Sequence, residues 1–152
     1  MIEKVFRKQK KDHTCGPASM GMLLKAVGID ESEEELSRML KTSEAHGTLP
    51  AEFPRLAEKY KLNYLVRRNS DFEDLDHLKK RKYLVILIYH IRKEKIDHYA
   101  VFKKIENGRI YLFDPWFGKN KSYSLNYFFN VWKSSEIYGG EKRWLFAIKK
   151  EV

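Results

Sequence analysis

Two strand-like runs joined by a tight turn constrain this chain more than any other feature. The runs DHYAVFKKI (97–105) and RIYLFDP (109–115) are rich in β-branched and aromatic residues, and the segment Glu106-Asn107-Gly108 separates them. Asn-Gly accepts the positive φ angles that a two-residue hairpin turn requires. The pattern therefore predicts an antiparallel hairpin, and with it an antiparallel sheet.

The patterns on either side of the hairpin predict the other elements. Apolar residues at helical spacing favour a helix over 16–27 that stops at Gly28. A second helix is expected in SEEELSRML (32–40), with Ser32 as N-cap and Glu35 at the capping-box position. A third is expected after HGTLP (46–50). Strands are expected in NYLVRR (63–68), KYLVILIYH (82–90) and RWLFAIKK (143–150), and short helices in DFEDLDHLKK (71–80) and SYSLNYFFNVW (122–132), the latter begun by Ser122 or Ser124. The fold class is α+β, with an N-terminal helical half packed on a C-terminal antiparallel β-sheet in one domain over 1–152.

The composition excludes several classes of protein. A hydrophobic content of 43%, with nine Tyr, nine Phe and three Trp in 152 residues, supplies enough apolar surface for a core and argues against disorder. The longest apolar run, residues 83–91, is about half of the ~20 residues that a membrane-spanning helix needs. The polar N-terminus lacks the pattern of a secretory signal, and one cysteine allows no internal disulfide. We therefore expect a cytoplasmic protein without a transmembrane segment.

The positive charge is concentrated in the second half of the chain. Residues 1–76 carry 13 basic and 14 acidic side chains, whereas residues 77–152 carry 17 basic and 7 acidic ones. The basic residues are scattered among strand positions instead of forming one run. A solvated, lysine-rich surface explains this pattern better than a dedicated nucleic-acid surface, so no nucleic-acid partner is expected.

The single cysteine, Cys15, lies where the first helix is predicted to begin, directly before Gly16-Pro17. The thiolate is the nucleophilic form of cysteine, and the positive end of a helix dipole favours it. A buried, inert thiol is the alternative, since cysteine is among the most buried residue types. A partner base near Cys15 would distinguish a nucleophilic cysteine from a buried, inert thiol.

His98 and Asp114 are the candidates for a base and the carboxylate that orients it. His98 begins the first strand of the hairpin and Asp114 ends the second, so both lie at the same end of the sheet. An unbroken two-residue turn would, however, pair Asp114 with Val101, three residues or about 10 Å from His98. The pair therefore requires a bulge in the hairpin, or an Asp that leaves the ladder before Pro115.

Three short motifs, taken in order, resemble the C39 group of papain-like cysteine peptidases. They are a Gln separated by five residues from Cys-Gly in QKKDHTCG (9–16), His-Tyr in DHYAVF (97–102), and Asp-Pro with a nearby Gly in FDPWFG (113–118). The likeness runs from about Gln9 to Gly118. This family includes bacteriocin-leader and quorum-peptide processing domains that cut after a double glycine. The sixteen-residue step from His98 to Asp114 also resembles the step from histidine to asparagine in papain-like enzymes.

The resemblance implies a role for each motif residue. Cys15 becomes the nucleophile, His98 the general base and acid, Asp114 the group that orients the imidazole, and Gln9 an oxyanion-hole donor beside the backbone N–H of Cys15. It implies a papain-like fold and a peptide or protein substrate such as a leader peptide. Because the chain contains neither transporter segments nor a GxxxxGK[ST] sequence, the expectation is a freestanding enzyme or one that docks on a separate partner such as a transporter. No cofactor and no metal are implied.

One difference from the family and three alternatives remain. Thr14 stands where family members usually have an acidic residue, which bears on specificity. A Cys-His-Asp acyltransferase of similar fold would use the same thioester and transfer the acyl group to an amine. A basic peptide- or nucleic-acid-binding module would leave Cys15 incidental. A zinc site from His13, Cys15 and another histidine is disfavoured, since no CxxC or HxxxH pairing accompanies it.

Overall fold

A computed structural model describes residues 2–150 as helices packed on both faces of one antiparallel sheet. The helices are α1 (Cys15–Ala26), α2 (Glu33–Met39), α3 (Glu52–Lys59), α4 (Phe72–Lys80) and α5 (Leu125–Val131), with short 3-10 turns at Ile2–Val5 and Glu136–Tyr138. The strands are β1 (Tyr64–Arg67), β2 (Tyr83–Ile91), β3 (Ile96–Glu106), β4 (Arg109–Asp114), β5 (Gly118–Ser124) and β6 (Leu145–Lys149). The predicted α+β class is confirmed.

The sheet has six strands in the order β1-β6-β2-β3-β4-β5, so β2 and β3 lie at its centre. Alternate residues along these strands face two separate apolar clusters, as the two-residue period of a strand requires. One cluster joins the sheet to α1, α2 and α3, and the other joins it to α4 and α5. The helical half of the chain thus covers one face, and the two later helices cover the other.

The local signals mark most element boundaries correctly. Ser32 caps α2 by accepting a hydrogen bond from Glu35 N at 3.0 Å, but the reciprocal half of the predicted capping box is absent there, because the Glu35 side chain pairs with Arg38. Asn107 and Gly108 form the hairpin turn with φ angles of 52° and 74°. The α1 helix begins at Cys15, as the sequence predicted.

Strand β5 is the element that the sequence pattern did not reveal. Ser122 lies within this strand, and Ser124 is the N-cap of α5, where its hydroxyl accepts from Tyr127 N at 3.2 Å. The segment GKNKSYS is polar and mostly solvent-accessible, so it lacks the hydrophobic alternation of a half-buried strand. Pairing with β4 makes it a strand at the sheet edge, where lysines deter pairing with other chains.

Candidate active site

Cys15 is the first residue of α1, and packing fixes its position. The Thr14 hydroxyl accepts a hydrogen bond from Lys11 N at 3.1 Å and donates one to Lys11 O at 2.9 Å, which closes the turn before the helix. The Cys15 thiol is partly accessible, and its Sγ accepts from Tyr99 N of β3 at 3.5 Å. The helix start is therefore held directly against the strand that carries His98.

Gly16 allows the loop before α3 to approach the helix start. A Cβ atom at this position would lie 2.4 Å from Thr48 Oγ1 and 2.8 Å from Thr48 Cβ, which is closer than side chains can pack. The Thr48 carbonyl in turn accepts a 2.7 Å hydrogen bond from the Tyr99 hydroxyl. Cys15 thus lies at the junction of a helix, a strand and a loop, each held by the others.

His98 lies between Asp114 and Cys15. The residue is 3% exposed, and Nε2 lies 2.6 Å from Asp114 Oδ1. The Cys15 sulfur, which accepts from the backbone N–H of the next residue, Tyr99, is close enough to the ring to raise the pKa of His98. Because Nε2 is occupied by the carboxylate, Nδ1 is the nitrogen left to interact with Cys15. The structure therefore brings together three of the four residues selected from the sequence.

A β-bulge resolves the register conflict between His98 and Asp114. The β3–β4 pairing follows the turn as far as Lys104 and Tyr111, and then shifts by one residue, so that Phe102 pairs with Leu112. Continued along the strand, this register sets Asp114 opposite Ala100 instead of Val101. A one-residue shift moves a side chain to the other face of a sheet. Asp114 therefore shares a face with His98, at the diagonal distance of ~7–8 Å between backbones that side chains can bridge.

Asp114 is fully buried and accepts four hydrogen bonds. Oδ1 accepts from His98 Nε2, from Trp116 N at 2.9 Å and from Phe117 N at 3.0 Å, and Oδ2 accepts from the Tyr89 hydroxyl at 2.6 Å. Tyr89 was not selected from the sequence, where it belongs to an apolar strand. The signal that would have found it is strand pairing, because Tyr89 lies directly opposite His98 in the β2–β3 ladder.

Charge stabilises the ionised forms of this buried pair. Burial alone would lower the pKa of His98, but the Asp114 carboxylate and the Cys15 sulfur raise that pKa to about 10. Burial would raise the pKa of Asp114, yet His98 and the Tyr89 hydroxyl hold it below its usual value. His98 therefore keeps its proton at neutral pH, between a carboxylate and a sulfur atom.

Gln9 lies beside the same cleft, attached to the turn that follows Asp114. Its backbone N–H donates to Pro115 O at 3.0 Å. Its side-chain Nε2 donates to Lys11 O at 2.8 Å and to Asp12 O at 3.2 Å, while the buried Oε1 has no hydrogen-bond partner among the described residues. The amide can present a donor to the cleft only if one of these two bonds is exchanged.

The cleft above Cys15 has a volume of about 1010 Å³. It is lined by the loop 44–48, by Ile96, Trp116 and Phe117, and by Tyr138. Trp116 is 48% exposed, so its ring does not pack into the core. Phe117 makes the edge contact with the His98 ring, at 6.1 Å between centroids. Apolar and exposed walls of this kind suit an extended peptide.

Within residues 2–150, no cluster of three or more His, Cys, Asp or Glu side chains is arranged to hold a metal ion. No helix there is both long enough and apolar enough to cross a membrane.

Comparison with known proteins identifies the family. The model of the peptidase C39 family matches residues 3–138. A curated relative, the pediocin PA-1 transport/processing ATP-binding protein PedD of Pediococcus acidilactici, is 28% identical over 113 residues. That match covers 74% of this chain and 15% of the relative, so the chain spans only a small part of that protein's length.

Solved structures share the fold at low sequence identity. A protein of Bacillus anthracis described as a C39-like peptidase superposes with a TM-score of 0.74 and 15% identity, covering 96% of this chain and 94% of that one. The peptidase domain of Streptococcus ComA, a bi-functional ABC transporter of a quorum-sensing pathway, superposes with a TM-score of 0.70 and 20% identity, covering 95% of this chain and 97% of that one. A double glycine motif protease of an AMS/PCAT transporter, in complex with a leader peptide, has a TM-score of 0.65 and 19% identity, covering 95% of this chain and 89% of that one. The chain therefore belongs to the peptidase C39 family, and it is a cysteine peptidase, a hydrolase with the papain-like fold.

Proposed function

We propose that this peptidase cleaves a peptide bond through a thioester on Cys15, acting as one domain over residues 1–152. The observation that carries the proposal is one buried imidazole, His98, that lies 2.6 Å from the Asp114 carboxylate and next to the Cys15 sulfur, which is bonded to the backbone N–H of Tyr99. A nucleophile, a proton carrier and an orienting carboxylate are what covalent acyl transfer requires.

The proposed reaction consists of acylation of Cys15 followed by hydrolysis of the thioester. The Cys15 thiolate attacks the scissile carbonyl carbon, and an oxyanion forms. The C–N bond then breaks while His98 gives its proton to the leaving amine, which leaves a thioester on sulfur. Water next attacks the thioester and returns a proton to His98, and Cys15 is released as a thiolate beside the imidazolium. Asp114 holds the ring throughout, and its four donors keep the carboxylate from turning away.

Two donors are proposed for the oxyanion, the backbone N–H of Cys15 and the side-chain amide of Gln9. The first lies at the start of α1, where helix N–H groups have no intrahelical acceptor. The second becomes available when Gln9 Nε2 exchanges its bond to a backbone carbonyl for one to the oxyanion. The attachment of Gln9 to Pro115 keeps this amide next to the turn that holds the Asp114 carboxylate.

The substrate we propose is a leader peptide with a double-glycine site, and the partner we propose is a transporter. The relatives support this choice, since one is a double glycine motif protease bound to a leader peptide and another a transport and processing protein. The cleft supports it too, because Gly47 and the Tyr138 hydroxyl lie close together in the cleft that Cys15 lines. Small residues on the acyl side of the scissile bond fit such a site.

Alkylation of Cys15 by iodoacetamide, followed from pH 5 to pH 9, tests the mechanism. We expect wild type to react faster at pH 6 to 7 than a free cysteine in a short peptide, because the His98 imidazolium favours the thiolate. In His98→Ala this advantage should disappear. A Cys15 that reacts no faster than the free thiol, and is indifferent to the loss of His98, would contradict the mechanism.

Peptide cleavage tests the specificity. Peptides with Gly-Gly, Ala-Ala or Leu-Leu before the scissile bond, and otherwise identical, are incubated with wild type and with Cys15→Ala. We expect cleavage after Gly-Gly by wild type and none by the variant. Adding an external amine separates hydrolysis from acyl transfer, since an acyltransferase would yield the amide in place of the acid.

A further inference from the structure

A loop between α5 and β6 reaches over the cleft. We call residues 134–141 the strap. Its two ends are joined to each other, since Ser134 N donates to Glu141 O at 2.9 Å and Glu141 N donates to Ser134 Oγ at 2.8 Å. Arg68 holds the second end through Glu141, with Nε to Oε1 at 2.6 Å and Nη2 to Oε2 at 3.2 Å. The base of the strap is thus fixed to the body of the protein.

Asp97 bonds Ser135, the residue before the 3-10 turn of the strap, to the sheet. Its Oδ2 accepts from Ser135 N at 3.0 Å and from Ser135 Oγ at 2.5 Å, while Oδ1 lies 3.0 Å from His90 Nδ1. The Asp97 side chain is only 2% exposed, although Ser135 itself is on the surface. Both carboxylate oxygens are therefore used, one toward the strap and one toward the neighbouring strand.

The strap places the Tyr138 side chain in the cleft that Cys15 lines. Tyr138 ends the 3-10 turn that begins directly after Ser135, and its ring lines the cleft with Cys15 and Gly47. A Cβ atom added to Gly47 would lie 3.1 Å from the Tyr138 hydroxyl, so the strap and the opposite loop almost touch. Burial, and next the neighbouring Cys15 sulfur and Asp97 carboxylate, raise the pKa of this phenol. The neutral phenol therefore forms one side of a constriction over the nucleophile.

Asp97 and His98 are consecutive residues of β3, so the strand that carries the proposed base also holds the strap. Successive residues of a strand face opposite sides of the sheet. His98 turns toward Asp114 and Tyr89, whereas Asp97 lies on the side of Tyr99, whose backbone and hydroxyl contact Cys15 and Thr48. One strand thus carries the proposed base on one side and the anchor of the strap on the other.

From these contacts we infer that Asp97 is a positioning residue, which sets the width of the cleft beside Cys15 by holding the strap through Ser135. Tyr138 is the side chain that it positions, and the consequence is selection for a small residue next to the scissile bond. The expected selection among peptides rests on the proposed function, whereas the expected access of reagents to the Cys15 thiol is independent of it.

Two variants break the bonds between Asp97 and Ser135 in independent ways. Asp97→Ala removes the acceptor. Ser135→Pro removes both donors at once, and the φ angle of −75° at Ser135 suits proline, so the backbone there is preserved. His90→Gln is the matched control, because it changes the partner of the other Asp97 oxygen and leaves the two bonds to Ser135 intact. Thermal melting identifies any variant that fails to fold.

The first measurement is the ratio of Cys15 alkylation rates with a bulky aromatic maleimide and with iodoacetamide. We expect this ratio to rise by about 10-fold or more in Asp97→Ala and Ser135→Pro, since one methylene of width in a pocket changes discrimination by that factor. In His90→Gln the ratio should equal that of wild type. The second measurement is the Gly-Gly to Ala-Ala ratio of kcat/KM, which should fall in the same two variants with kcat for Gly-Gly largely kept.

The outcomes separate the two proposals. If wild type cleaves none of the peptides, the proposed function fails, and the alkylation ratio alone decides on the strap. If the ratio is unchanged in a folded Asp97→Ala and a folded Ser135→Pro, or if His90→Gln changes it equally, Asp97 does not position the strap. If Asp97→Ala does not fold, the result with the surface variant Ser135→Pro decides.

Discussion

The hydrogen bond from Tyr89 to Asp114 allows a sharp test of how the buried carboxylate is held. Tyr89→Phe removes one oxygen atom without changing the shape of the ring, and Tyr89 is 1% exposed. The lost bond, 2.6 Å long, goes to a charged acceptor that solvent cannot reach. Hydrogen bonds to charged groups contribute ~1.5–3 kcal/mol to stability. For a domain of this size we expect the melting temperature to fall by ~3–12 °C.

The assay is guanidinium unfolding of wild type and variant at several pH values, with Tyr123→Phe as the control. Tyr123 bonds the Tyr89 hydroxyl at 3.0 Å and does not touch the carboxylate, so we expect a loss of only ~0.5–1.5 kcal/mol. Burial raises the pKa of Asp114, but His98 and Tyr89 lower it overall, so its charge stabilises the fold above the ordinary value of 3.8. That stabilisation is lost as the pH falls through the lowered pKa. The gap between wild type and Tyr89→Phe should therefore be widest near neutral pH and shrink in acid.

Two results would refute this reasoning. Tyr89→Phe removes the bond to the carboxylate and the bond to Tyr123, so a free energy of unfolding equal to that of Tyr123→Phe would mean that the bond to the carboxylate contributes nothing. A gap that stays constant from pH 7 down to pH 3 would mean that the Asp114 charge is not what Tyr89 stabilises.

Three further outcomes are expected. The difference in free energy of unfolding between wild type and His98→Gln should be largest below pH 6.5, where the histidine of the unfolded chain is charged. It should decrease as the pH rises through about 10, the raised pKa of folded His98. Unfolding experiments at pH 6 and pH 9 measure this difference. Gly16→Ala should lower the free energy of unfolding by ~1–3 kcal/mol, because its Cβ overlaps Thr48, and an unchanged melting temperature would contradict that packing. Gln9→Ala should reduce kcat by ~100-fold or more with Cys15 alkylation by iodoacetamide retained, and equal turnover would remove Gln9 from the oxyanion hole.

Local signals were sufficient for most of the fold. The Asn107-Gly108 turn, the apolar run of β2 and the helical spacing of the first 60 residues act within a few residues of the chain, so each can be found without knowing the partners. Strand β5 was missed for the opposite reason. Its polar residues pair with β4 at the sheet edge, and this pairing is not encoded by any hydrophobic pattern within the segment.

The sequence by itself determined the chemistry of the candidate site. It supplied a thiol at a helix start and an imidazole and a carboxylate at one end of a hairpin, and these motifs, read together, resembled the family that the comparisons confirm. The thiol, the imidazole and the carboxylate occur in the order expected for this family, so one sequence is enough to select them as candidates.

Only the tertiary structure decided how these residues meet. The bulge between Phe102 and Lys104 turns Asp114 to the face of His98, and a register shift of this kind depends on the whole ladder, not on the turn. Tyr89, Asp97 and Ser135 acquire their roles through contacts between segments that are distant in the chain. Hydrogen bonds across 25 and 38 positions are set by packing of the sheet and its loops, which no local pattern records.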